Sequence, residues 1–259
     1  MKIVHTGDMH LHDWRFGDPS EIEAHARRVV KSIIENEDAA DTVVCDTGDM
    51  MQHGGQEECD AVRRVYEPLL NHGFQIVACP GNHDLWWNGL GGRLLNRFLG
   101  GYPKDDEFDA LASDLMRREV DGWPVAFRRG PVVFIAANSS HRHTYLASGY
   151  LGEEQIDYIA DTVRTCHNVG VAPVILVHHC LSGGQRSKRL QDRRELGDAL
   201  EEAGGVSLIL SGHLHEANSW SGVFGADRLV STPAMVESKK YRRLECADGR
   251  WSEEWVEVV

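Results

Sequence analysis

Asp41-Thr-Val-Val-Cys45 leads into Asp46-Thr-Gly-Asp49, and Phe74-Gln-Ile-Val-Ala78 leads into Cys79-Pro-Gly-Asn-His-Asp84. Both are apolar runs of strand length, and both end in glycine followed by acid or amide. Between them, Gln56 to Leu70 has helical spacing and stops near Asn71-His-Gly73. Strand, helix and strand in this order are the unit of a parallel sheet, so the chain reads as α/β.

Toward the N-terminus, Lys2–His5 is a further strand. Ser20-Glu-Ile-Glu23 reads as a capping box, with Ile22, Ala26, Val29, Val30, Ile33 and Ile34 following at helical spacing. Toward the C-terminus, Leu85 to Asp121 is glycine-rich and then helical from Asp106 to Arg118. It reads as a cap-like insertion near 85–121 in a single domain covering 1–259. Trp123–Phe127 and Val132–Ala137 flank Arg128-Arg-Gly-Pro131 as a hairpin. A helix over Glu153–His167, a strand over Val174–Val177, a helix over Lys188–Glu202 and a strand over Ser207–Leu210 follow. The end of the chain gives short strands at Ala217–Trp220, Arg228–Ser231, Tyr241–Cys246 and Trp251–Val258. Parallel elements early and antiparallel ones late predict two packed sheets with helices outside.

Composition narrows the partners. The chain of 259 residues carries 40 acidic and 27 basic residues, a net charge of −13. Duplex DNA binding draws on a basic face, so nucleic acid is not the favoured partner; an acidic chain still acts on phosphates where bound cations reverse the local field. The longest apolar run, Val171 to Val177, is too short to span a membrane. The N-terminus turns polar at Thr6-Gly-Asp8, without the apolar core of a secretion signal, which points to the cytoplasm. Cys45, Cys59, Cys79, Cys166, Cys180 and Cys246 form no Cys-x-x-Cys pair and read as free thiols.

Nearly every strand of the α/β part ends in candidate metal ligands: Gly7-Asp8-Met-His10, Gly48-Asp49, Gly81-Asn82-His83-Asp84, His178-His179 and Gly212-His213-Leu-His215. Sites of α/β sheets lie beyond the carboxyl ends of the strands, where these clusters converge. In extended backbone, residues i and i+2 point the same way, so Asp8 and His10, and likewise His213 and His215, reach a common site. Met9 and Leu214 then turn into apolar packing. Carboxylate, imidazole and amide oxygen suit Mn, Fe, Zn, Ni or Co rather than Ca.

The blocks, in this order, resemble the calcineurin-like metallophosphoesterase superfamily. The resemblance implies a four-layer α/β/β/α sandwich of two mixed sheets with flanking helices, holding two metal ions. It implies that Asp8, His10 and His215 hold one ion, that Asn82, His178 and His213 hold the other, and that Asp49 bridges them. His178 is preferred over His179 because the first histidine of such a pair aligns with the ligand. Two positions depart from the superfamily: Met50-Met-Gln52 stands where an acid often follows Gly-Asp, and Cys180 stands where proline often follows the histidine pair.

A centre of this kind makes hydroxide from a bridging water near neutral pH and clamps the phosphoryl oxygens for in-line attack. His83 is the candidate for protonating the leaving oxygen, and Asp84 for holding its ring. His12, His141 and His143 are rim candidates or ordinary loop histidines. Trp86 and Trp87 offer a stacking face for a nucleobase or pack beneath the insertion. Arg186, Lys188, Arg189, Arg193 and Arg194 form a phosphate-recognising edge or a solvated helix face. Gly149-Tyr-Leu-Gly-Glu-Glu-Gln155 and Arg189-Leu-Gln-Asp-Arg-Arg194 resemble the bacterial branch that contains class III cyclic-nucleotide phosphodiesterases. The favoured expectation is therefore a phosphodiesterase acting on a small nucleotide or similar diester. The alternatives are a DNA-processing nuclease of the same superfamily, a phosphomonoesterase or protein phosphatase, and a non-catalytic interaction scaffold.

Overall fold

Alternation along the strands decides which layer each residue enters. On β5 (Val132–Ala137), β6 (Ala172–Val177) and β7 (Leu208–Ser211), Val132, Phe134, Ala136, Val174, Leu176, Leu208 and Leu210 face the larger core cluster. Their neighbours Ile135, Ala137, Ile175, Val177 and Ile209 face a second cluster. A sheet with two apolar faces must be covered on both. One cover is a second sheet; the other is helices. The structure is a computed structural model that describes residues 1–13, 15–85, 105–140, 147–247 and 250–258.

The first sheet has the order β11-β10-β1-β2-β3. β1 (Lys2–Thr6), β2 (Thr42–Asp46) and β3 (Gln75–Ala78) run parallel, and β10 (Lys240–Ala247) and β11 (Arg250–Glu257) extend them antiparallel. The second has the order β4-β5-β6-β7-β9-β8, with β4 (Val125–Arg129) and β8 (Asn218–Val223) antiparallel to their neighbours. Helices α1 (Pro19–Asn36) and α2 (Gln56–Asn71) pack together beside the first sheet; α5 (Glu153–Asn168) and α6 (Arg193–Glu202) cover the outer face of the second. The four-layer expectation and both mixed sheets are thus present.

Four local readings change. Helix α1 is capped by Asp18, whose carboxylate accepts from Ser20 N at 2.9 Å, and Pro19 takes the first turn; the Ser20 box is not used. The helix expected from Lys188 begins only at Arg193, because Leu190 bridges to Gly149 and Asp192 turns its carboxylate onto the N–H groups of Leu151 and Gly152. β9 (Ala226–Ser231) is parallel to β7: the tight turn at Phe224 and Gly225 (φ 53 and 66°) folds β9 back between β7 and β8. In the 85–121 segment, residues 86–104 lie outside the described residues. The short α3 (Asn82–Leu85) follows β3, and residues Asp105–Met116 form α4, whose Phe108, Leu111, Ala112, Leu115 and Met116 are buried with the core against α2 and β3. That half serves as core wall rather than cap. All six cysteines are free, and five are buried.

Candidate metal centre

The strand ends deliver the candidate ligands through strained backbone. Asp8, His10, Asp49, His213 and His215 have φ of 55, 47, 54, 69 and 56°. A left-handed conformation costs an L-residue about 1–2 kcal/mol. Of the eight non-glycine residues with positive φ among the described residues, these are five, so the strain is concentrated here. The extended i, i+2 geometry expected for Asp8/His10 and His213/His215 is therefore not adopted. The second and third blocks meet through glycine: a Cβ on Gly48 would lie 2.4 Å from Gly81 N, and one on Gly81 2.2 Å from Asp49 Oδ1.

Two groups of lone pairs result. His215 Nε2 lies 3.4 Å from Asp8 Oδ1 and 3.1 Å from His10 Nε2. His178 Nε2 lies 3.1 Å from His213 Nδ1, 3.2 Å from Asn82 Oδ1 and 3.3 Å from Asp49 Oδ2. Asp49 Oδ2 is also 3.8 Å from His10 Nε2, so one carboxylate oxygen faces both groups. His213 and His215 thus diverge, one to each group. His179 instead binds Ser139 Oγ through Nδ1 at 2.8 Å.

This arrangement fits cations. His178 Nδ1 is 2.7 Å from the Thr47 carbonyl, which only accepts. Nδ1 therefore carries a proton, and a ring deprotonated at Nε2 presents that lone pair to a carboxylate and an amide oxygen. Acceptors facing acceptors in a buried site call for a positive charge, and the backbone carbonyl orients the ring as outer-shell partners of metal ligands do. Asp8, His10 and His215, and separately Asp8, Asp49 and His178, are spaced to share an ion.

Electrostatics agree. Burial opposes charge on His178, but the Asp49 carboxylate prevails and raises its pKa to about 9. Burial and then His178 lower His213 to about 3; burial lowers His10 to about 4 despite Asp49 and Asp8. Burial resists ionisation of Asp49, yet His178 and His83 hold it well below the usual carboxylate range. In the ion-free protein the His178 contribution to stability is present below the unfolded value of 6.5 and fades as pH rises through about 9. An ion at this nitrogen displaces the proton. Metal affinity is expected to rise with pH up to about 9, releasing about one proton per ion taken up there near pH 7. Calorimetry in buffers of different ionisation enthalpy measures it; uptake without proton release would contradict the assignment.

His83 sits beside the Asp49 carboxylate. Its N–H donates to Asp49 Oδ1 at 2.8 Å, and its ring is edge-on to His10 with centroids 4.9 Å apart. The expected partnership with Asp84 is not formed. Asp84 is buried and its oxygens accept from the backbone of Asp49 (2.8 Å), Gly81 (2.8 Å) and Met51 (2.9 Å). His83 Nδ1 instead faces the Gln52 carbonyl at 3.2 Å. Asp84 is a clamp on the Gly-Asp and Gly-Asn turns. Asp84→Ala would strand three N–H groups, and chemical denaturation is expected to show a loss of roughly 2–4 kcal/mol; unchanged stability would refute the clamp.

The sequence reading missed Asp13, Arg15 and Gln52. Asp13 is buried and binds Arg15, and the Gln52 side chain reaches His10 Nδ1 at 3.2 Å. The signals were available: an acid and an arginine two apart directly after the first block, and a glutamine where an acid is usual. His12 is half-buried with φ 69°. Trp86, Trp87, His141 and His143 lie outside the described residues.

The model of the calcineurin-like phosphoesterase family matches residues 1–217. The chain belongs to the calcineurin-like phosphoesterase family. Metal-dependent hydrolysis of phosphoric esters is the chemistry of these calcineurin-like phosphoesterases. A comparison with curated proteins gives no significant sequence match. A dimetal phosphatase from Danio rerio is similar in structure, with TM-score 0.67 and 14% identity, covering 100% of this chain and 96% of its own. A purple acid phosphatase from yellow lupin (Lupinus luteus) seeds gives 0.64 at 15% identity, covering 100% of this chain, which spans 51% of that enzyme. The calcineurin-like phosphoesterase YfkN from Bacillus subtilis gives 0.50 at 16% identity, covering 100% of this chain and 90% of that one. At these identities the likeness is one of fold. No helix among the described residues is long and apolar enough to cross a membrane.

Proposed function

We propose that the protein is a phosphodiesterase that hydrolyses a small nucleotide or a similar diester. The observation that carries this reading is His83, half-buried, tied by its backbone to Asp49 and by Nδ1 to a carbonyl, which leaves Nε2 for a substrate oxygen. An acid placed beside the bridging carboxylate suits a poor leaving group such as a sugar alkoxide.

Asp8, His10 and His215 would hold one ion and Asn82, His178 and His213 the other, with Asp49 between them; Mn, Fe, Zn, Ni and Co suit this donor set. When bound, such a pair supplies Lewis acidity that activates water for attack and neutralises phosphoryl charge. The chain's own part is positioning. Thr47 fixes the His178 ring, Asp84 fixes the turns that carry Asp49 and Asn82, and His83 donates the proton to the departing oxygen.

The two stretches that resemble the cyclic-nucleotide branch form one unit. Gly149 bridges Leu190, Gln191 N donates to Gly149 O at 2.9 Å, and Asp192 caps Leu151 and Gly152. A net charge of −13 favours a small substrate over a nucleic acid strand. The test is a metal-reconstituted screen over aryl and alkyl monoesters, diesters, cyclic nucleotides and single-stranded DNA. Small diesters are expected to give the highest kcat/KM. A higher value on monoesters or on DNA would overturn the reading.

A further inference from the structure

The turn that leaves the first ligand block holds a charge pair that neither the fold nor the proposed reaction has used. Asp13 is buried, yet its carboxylate takes four bonds from one residue: Arg15 N to Oδ1 at 3.0 Å, Arg15 Nε to Oδ1 and to Oδ2 at 2.9 Å each, and Nη2 to Oδ2. The Arg15 side chain is 52% exposed. An ordinary surface pair leaves both partners in water and contributes little. Here the acid is withdrawn from water, at a desolvation cost, to fix the direction of an arginine that stays open.

That arginine stands at the edge of the candidate centre. Asp13 N donates to His10 O at 3.1 Å, and the Phe16 ring lies 5.5 Å from His10 and 6.1 Å from His215. Arg15 Nη2 is 3.0 Å from one end of the Gln52 amide, whose other end is 3.1 Å from His83 Nδ1 and 3.2 Å from His10 Nδ1. With its oxygen toward Arg15 Nη2 and its nitrogen toward Asp13 Oδ2, His83 Nδ1 and His10 Nδ1, the amide satisfies both sides and links the guanidinium to the centre. Nη1 has no hydrogen bond to a described residue. A planar guanidinium with a free edge, fixed at the mouth of an acidic site, is built to take an oxyanion from outside the chain.

We propose that Arg15, held by Asp13, binds a non-bridging phosphoryl oxygen of the substrate. The proposal rests on the phosphoesterase reading above for the identity of the anion, and it makes Arg15 a substrate-binding residue and Asp13 a positioning residue. The probe is inorganic phosphate, titrated calorimetrically into the metal-loaded full-length protein, alongside kcat and KM on a nitrophenyl diester and metal content by elemental analysis. Arg15→Ala is expected to weaken phosphate binding about 10- to 100-fold, the scale of a lost charged hydrogen-bond pair, and to raise KM by more than it lowers kcat. Asp13→Asn, which keeps the guanidinium but loosens it, is expected to give a smaller shift in the same direction. Arg15→Lys keeps the charge without the fork and is expected to recover only part of the binding; it carries the test if Arg15→Ala does not fold. Equal phosphate affinity in Arg15→Ala and wild type at full metal content would overturn the proposal, and so would loss of the ions, because Arg15 would then serve the ligand shell. Wild-type protein that binds phosphate through Arg15 but turns over no ester would refute the proposed function and leave this assignment standing.

Discussion

Asp49→Ala is expected to lower kcat by about 10³-fold or more, the upper end of what one group that stabilises a transition state contributes. It is also expected to loosen both ions together. One oxygen of this carboxylate lies 3.3 Å from His178 Nε2 and 3.8 Å from His10 Nε2, so a single deletion reaches both ligand groups. The other oxygen holds the His83 N–H at 2.8 Å, so the acid candidate loses its tether as well. Asp49→Asn separates these effects: it keeps an acceptor of the same shape but removes the charge. In the ion-free protein both variants are expected to be less stable near neutral pH, because the carboxylate that holds His178 protonated is gone. The thermal stabilisation gained on adding metal should collapse in both, since a ligand stabilises a fold in proportion to its affinity for the folded state. Two tightly bound ions in Asp49→Ala, found by elemental analysis, would show that Asp49 does not bridge.

The parts of this molecule legible in the sequence are those set by pattern along the chain. Apolar runs of strand length, broken by glycine and followed by acid, amide or histidine, located β1, β2, β3, β6 and β7 and put the candidate ligands at one end of two sheets. What pattern does not carry is how the backbone turns at those ends. Residues spaced i and i+2 were read as extended, whereas Asp8, His10, His213 and His215 take left-handed φ and splay their side chains. Side chains bonded to distant backbone were equally hidden. Asp84 follows His83 in sequence, yet its partners are the N–H groups of Asp49, Met51 and Gly81, which arrive only when two strand ends pack together. Asp192 sits within a helix-like stretch but delays the helix because its carboxylate serves Leu151 and Gly152. The Asp13–Arg15 pair was visible as spacing; its value lay in burial, which spacing does not report.

Replacing His83 separates metal chemistry from acid catalysis. If His83 protonates the departing oxygen, its loss matters most where that oxygen leaves as a strongly basic alkoxide. A positioned acid contributes about 10²–10⁴ in rate. Nitrophenolate is already stable near neutral pH and needs little protonation. His83→Ala is therefore expected to cost alkyl diesters about 10²–10⁴ in kcat and nitrophenyl diesters far less. The geometry sharpens the control. His83 meets Asp49 through its backbone N–H, a bond that alanine keeps, so both ions should stay bound. Its Nδ1 faces the Gln52 carbonyl, and Nε2 is the nitrogen left for substrate. His83→Gln retains a hydrogen-bond donor without a titrating group. It should recover phosphate positioning while leaving the alkyl-diester deficit in place. An equal loss on alkyl and nitrophenyl substrates, at full metal content and with chemistry rate-limiting, would mean that His83 orients the phosphoryl group and that the leaving oxygen takes its proton from water.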